Sequence, residues 1–84
     1  MTVPEWFKRM LVELRLQGLR YVTKGKAAHL AYAWYGKRLS PESVARYIRY
    51  AVEEGLLIPA RRRGKGIYYL THKVDALLEV EVHK

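Results

Sequence analysis

"SPESVARYIRYAVEEGLLIPARRRGKGIYYLT", residues Ser40–Thr71, carries the most local structural information in the chain. Ser40 suits a helix N-cap, Pro41 the first helical position, where its missing N–H is no loss, and Glu42 the electropositive first turn. Val44, Ile48, Ala51 and Val52 recur at helical spacing as a buried stripe, with Tyr47 at its margin. Gly55 ends the helix as a left-handed cap, and Leu56 and Leu57 return the chain to the core. "LLIPAR" and "IYYLT" then read as two strands joined by "RRGKG", with Gly64 and Gly66 relieving the backbone at the turn. Pro59, which lacks an N–H, confines the first of these strands to a place such as a sheet edge.

The upstream half is helical in pattern. Pro4 fits a first turn, and Val3, Phe7, Met10, Leu11 and Leu14 form one apolar stripe with Trp6 at its edge. Val12, Leu16 and Leu19 form a second aliphatic row beside Lys8 and Arg15. A helix apolar on two sides packs on two sides, here against either the chain's own C-terminal segment or another subunit. Gly18 weakens the helix end, and "RYV" (Arg20–Val22) reads as a short strand. Thr23 caps a second helix, "KGKAAHLAYAWYG", with Ala27, Leu30, Ala31 and Trp34 as its inner face and Gly36 as its stop. The tail "HKVDALLEVEVHK" fits two patterns. Val74, Leu77 and Leu78 suit a helix, whereas Leu78, Val80 and Val82 alternate like a strand; a short helix from near His72, fraying at its end, is the expectation.

Composition bounds what such a chain does. Its 84 residues suffice for one small domain, 1–84, and half of them are apolar, including seven tyrosines and two tryptophans, so a packed core is expected. The formal charge is +8, which favours a polyanionic partner. Cysteine is absent, excluding disulfide frameworks and thiolate metal sites. No apolar run is long enough to span a bilayer and no signal-peptide pattern precedes Lys8 and Arg9, so the expectation is a cytoplasmic protein without a membrane partner, associated with nucleoid or ribosome. Asparagine is absent and Gln17 is the one glutamine, a bias that suits a thermophile.

The order helix, strand, helix, helix, strand, basic turn, strand resembles the winged helix-turn-helix family over roughly residues 4–71. The resemblance is carried by the "AAHLA" second helix, by "SPESVARYIRYAVEEGLL" as third helix and exit, and by "RRRGKGIYYLT". It implies an α+β fold: a three-helix core, a small antiparallel β-hairpin wing, and residues 72–84 as an extension. One departure is the "AWYGKRL" turn, longer than in compact members of the family.

In that family the third helix enters the DNA major groove and the wing touches backbone or minor groove. Carried over to this chain, the outward face of the third helix holds Ser43, Arg46, Arg49 and Tyr50, with Glu53 further along. Arg46 and Arg49 would fork guanine edges or clamp phosphate, and Ser43 and Tyr50 would donate to phosphate oxygens. The same pattern also suits a solvated helix face with Glu42 and Glu53 nearby. Lys24 and Lys26 start the second helix, where the family often contacts backbone. Arg61, Arg62, Arg63 and Lys65 repel one another at the hairpin tip, a cost that a phosphate backbone would relieve; a solubilising loop would better use mixed charge.

Duplex DNA is therefore the favoured partner, for a small transcriptional regulator or chromatin-type protein. The scatter of Lys8, Arg9, Arg15, Arg20, Lys37 and Arg38 keeps structured RNA, as in a ribosomal assembly, in view. A third alternative is a protein-interaction domain that dimerises through Val12, Leu16 and Leu19. Catalysis finds little support. Ser40 and Ser43 are explained by the helix start, no carboxylate pair has acid–base spacing, and no glycine loop cradles phosphate before a helix. His29 and His72 stand isolated as surface or packing residues, so no metal or cofactor is expected.

Overall fold

The helix start at Ser40 forms as its chemistry requires. In the computed structural model, which describes residues 3–62, 64 and 66–82 and side chains through residue 77, the Ser40 side chain accepts a hydrogen bond from the Ser43 N–H at 3.2 Å. The helix Pro41–Glu53 follows. Gly55, at φ +81°, closes it in the left-handed conformation, which lets the Leu56 N–H reach back to the Ala51 carbonyl at 2.8 Å. A side chain at Gly55 would be strained by that φ and would meet Lys73 at 3.0 Å.

The described elements run in the order α1 (Glu5–Leu16), β1 (Tyr21–Thr23), α2 (Lys24–Tyr35), α3 (Pro41–Glu53), β2 (Leu57–Pro59), β3 (Ile67–Leu70) and α4 (His72–Val82). The fold is α+β: four helices and a three-stranded antiparallel sheet of order β1-β3-β2. Tyr21, Val22 and Thr23 of β1 lie opposite Tyr69, Tyr68 and Ile67, and Leu57, Ile58 and Pro59 of β2 lie opposite Leu70, Tyr69 and Tyr68. Pro59 thus sits on an edge strand, the place its missing N–H demands. Thr23 caps α2 by accepting from the Lys26 N–H at 3.1 Å, and Gly36 ends that helix at φ +66°.

One apolar core joins α1, α3 and the sheet. Phe7, Met10, Leu11 and Leu14 are buried with Val22, Ile48, Leu57 and Val74. An aromatic group pins one end of it. The Trp6 ring meets Phe7, Tyr35 and Tyr47 at centroid distances of 5.6, 5.7 and 5.8 Å, the first and last edge-to-face. Partial burial pushes the Tyr35 phenol upward, nearby Glu13 adds to that and Arg9 opposes it. The long connection after α2 is used in packing: Lys37 Nζ stands 5.5 Å from the Trp6 ring and Leu39 lies against the core.

Three sequence expectations need correction. Trp34 is 39% exposed, so the inner face of α2 is Ala27, Leu30 and Ala31 without it. Val52 is only partly buried, although Val44, Ile48 and Ala51 are as expected. The Val12, Leu16 and Leu19 row does not form a continuous exposed surface. Val12 is buried, Leu19 is partly covered, and Leu16 alone of the three is exposed. The physical reason is α4, the helix expected from His72, which packs on α1. Val74 joins the core and Leu77 packs against it, so the second apolar side of α1 has its partner within the chain.

A charge-assisted pair ties α4 to α1. Arg15 donates from Nε to Asp75 Oδ1 at 2.7 Å and from Nη2 to Oδ2 at 3.3 Å. The hydrogen bond from Arg15 holds the Asp75 carboxyl below its ordinary range, opposed by desolvation and aided by the nearby positive charge, while Asp75 raises the Arg15 guanidinium. A carboxyl depressed in the folded state stabilises above its unfolded pKa, and that contribution disappears as pH falls through the folded value. Asp75→Asn is accordingly expected to melt below wild type at about pH 7, with the two curves converging as the pH falls through the depressed folded-state pKa of Asp75 and wild type loses that charge too. A melting difference that does not change with pH would show that the pair adds nothing.

Candidate nucleic-acid interface

The strands β2 and β3 form a hairpin whose connection carries Arg61 and Arg62, both exposed. Arg63 and Lys65, expected to complete the basic tip, lie outside the described residues. At the base of the hairpin is an open depression of about 400 Å³, lined by Lys24, Pro59, Ala60, Arg61, Gly64, Gly66, Ile67 and Tyr68. Lys24 reaches it because β1 pairs with β3. The Lys24 N–H donates to the Gly66 carbonyl at 3.0 Å, with Gly66 at φ +79°. The start of α2 and the hairpin therefore present one cationic rim, bordered by glycine backbone.

Lys24 and Lys26 sit in the first turn of α2, which has no acidic residue. The N-terminal end of a helix is electropositive, so each cation there costs about 0.3–1 kcal/mol where a carboxylate would stabilise by as much. The start of α3 shows the ordinary choice, with Glu42 in its first turn. The eight acidic residues avoid this region altogether: none occurs between Glu13 and Glu42 or between Glu54 and Asp75.

On α3, Arg46 and Arg49 are exposed one turn apart, and Glu42 and Glu53 are exposed near the two ends of the same helix. The Arg49 guanidinium lies 5.8 Å from the Tyr50 ring, along the helix surface. Tyr50 itself is partly buried and packs against the core, and Ser43 is half-buried with its hydroxyl 3.1 Å from the Ser40 hydroxyl. Both belong in part to the structure of α3 and offer less to a ligand than the two arginines. Among the described residues, no carboxylate stands within ion-pair distance of Lys24, Lys26, Arg46, Arg49, Arg61 or Arg62; the pairs that form are Lys8 with Glu5 and Glu54, and Arg15 with Asp75.

The grouping of Lys24 with the hairpin was not visible in the chain order, because it depends on a strand pairing between residues more than forty apart. Its signal was the "RYVTK" run, a strand leading directly into a basic helix start. Among the described residues no cluster of three or more His, Asp or Glu side chains is placed to hold a metal, and no helix is long and apolar enough to cross a membrane. No protein-family model matches the chain, and no curated protein or solved structure matches it.

Proposed function

We propose that this chain is a winged helix that binds nucleic acid, with duplex DNA its favoured partner, in the manner of a small transcriptional regulator or chromatin-type protein. The observation that carries the reading is the acid-free cationic rim at the base of the hairpin, where Lys24 and Arg61 line the depression and the exposed Lys26 and Arg62 follow them closely in the chain. Charges gathered this way repel one another in the isolated protein, and a phosphate backbone relieves the repulsion. The order α1-β1-α2-α3-β2-β3 with β3 central in the sheet supports the winged-helix reading. The exposed side of α3 supplies the groove contacts. A second reading, structured RNA, is favoured by the exposed cations on other elements, among them Arg9, Lys37, Arg38 and Lys73.

Titration against duplex DNA, structured RNA and single strands over a range of salt tests the proposal. If the six described cations each meet a phosphate, log K against log salt should fall with a slope of about −5 on duplex DNA. A slope near zero would end the reading, and a steeper, tighter response on folded RNA would select the second. Within the DNA reading the α3 arginines divide. The Arg49 guanidinium lies 5.8 Å from the Tyr50 ring, whereas Arg46 is exposed with no ring beneath it among the described residues. Arg46→Ala is expected to weaken a preferred duplex about 5–100-fold and random duplex much less, and Arg49→Ala to weaken both alike. Unchanged binding in both variants would remove α3 from the interface.

A further inference from the structure

The sheet has a second face. Val22, Leu57 and Leu70 point to the core and are buried, so their strand neighbours point outward. Thr23 is the one polar residue among them in the strands; Tyr21, Tyr69 and Ile58 are not what a solvated sheet face carries. Tyr21, Tyr69 and Ile58 are 44%, 37% and 55% exposed. The register puts Tyr69 directly opposite both Tyr21 and Ile58, on one face of the sheet. The three side chains therefore form a single row across all three strands, about 10 Å wide at the usual strand spacing.

Charge decides what such a row would accept. Residues 20–24 and 55–71, which make up the sheet and its flanks, contain no Asp or Glu. β1 and β2 both run antiparallel to β3 and hence parallel to each other. Lys24 and Arg61 thus stand together at the hairpin end of the sheet, and Arg20, whose carbonyl accepts from the Leu70 N–H, stands at the other. All three cations are exposed. An apolar and aromatic platform between cations, with no acid to repel phosphate, matches the two halves of a single-stranded nucleotide: a base that stacks and a backbone that is anionic.

We propose that the outer face of the sheet binds unpaired bases of single-stranded nucleic acid, stacked on Tyr21 and Tyr69 and bounded by Ile58, with the backbone passing between Arg20 and the Lys24–Arg61 end. This rests on the nucleic-acid reading and adds to it a surface separate from α3. It lets one domain hold a duplex and an adjoining single strand together.

The test compares the full chain with Tyr21→Leu/Tyr69→Leu and Tyr21→Phe/Tyr69→Phe variants, each checked for an unaltered melting curve. The probes are oligothymidylate and oligouridylate of about 12 nucleotides, within the range one small domain covers, and a blunt duplex. The leucine variant should lose about tenfold in single-strand affinity for each tyrosine replaced, with the salt slope unchanged because stacking releases no counterions. The phenylalanine variant should bind as wild type does, and the duplex should not distinguish the three proteins. Wild-type binding to duplex but not to single strands, or a leucine variant that binds single strands normally, overturns the proposal and leaves the duplex reading standing. Failure of the wild type on every probe overturns that reading as well, and leaves the row to a protein partner.

Discussion

Replacing Arg61, Arg62 and Arg63 together by glutamine is expected to weaken duplex binding by about 500-fold at about 0.1 M salt. Each phosphate contact made by a cation contributes about 0.9 to the slope of log K against log salt, and hence about 0.9 log units at 0.1 M, so three contacts account for the effect. The slope itself should fall by about 2.7. Arg61 borders the depression that Lys24 shares, and Arg62 is exposed beside it; Arg63 enters from the sequence alone. Stability should move the other way. Removing mutual repulsion from a tip with no acid nearby should hold the melting temperature or raise it slightly. Weaker binding together with an unimpaired fold separates a functional cluster from a structural one. An unchanged slope would mean that the hairpin arginines do not touch phosphate.

The largest effect on stability is expected at Phe7. The ring is 1% exposed and meets Trp6 edge-to-face at 5.6 Å and Tyr47 at 6.0 Å. Truncation to alanine deletes the buried ring and leaves a cavity beside Trp6 and Tyr47, a change that costs about 3–5 kcal/mol. Small domains hold only about 5–15 kcal/mol in total, so Phe7→Ala should consume a large part of it and lower Tm by roughly 15–30 °C. Urea melts followed by near-ultraviolet circular dichroism would report both the loss and the freed tyrosine and tryptophan environments. Phe7→Leu, which refills most of the volume, should cost less than half as much. A loss under about 1 kcal/mol for the alanine variant would mean that the aromatic group does not hold α1, α2 and α3 together. The consequence reaches the interface: Tyr47 is a partly buried, core-packed residue of the helix whose exposed side carries Arg46 and Arg49.

Local signals in the sequence were strong wherever a helix begins or ends. Ser40, Pro41, Thr23, Gly36 and Gly55 each do in the structure what their chemistry implies. What escaped the sequence is non-local. The second apolar side of α1 and a tail helix from near His72 are both expected, but whether that tail or another subunit covers Val12 is decided only by the packing of Val74 and Leu77 on the core. Trp34 sits on the inner stripe by spacing but is exposed, and at that end of α2 it is the next residue, Tyr35, that packs on the core and Trp6. Of the candidate interface, the exposed arginines followed from pattern, since positions opposite a buried stripe face solvent. The joining of Lys24 to the hairpin did not, because it requires β1 to pair with β3. The tyrosine row had the same obstacle. "RYV" and "IYYL" each alternate correctly for a strand, but nothing in either segment says that Tyr21 and Tyr69 will be neighbours.

The most direct test is to follow the backbone amide resonances of the folded chain while a short DNA duplex is added. Perturbations are expected at Lys24 and Lys26, along the outward face of α3 at Arg46 and Arg49, and through the hairpin from Arg61 to Gly66, with α1 and α4 unaffected. Perturbations confined to α1 and α4, with the hairpin and the start of α2 silent, would contradict the assignment of that cationic rim to a phosphate backbone.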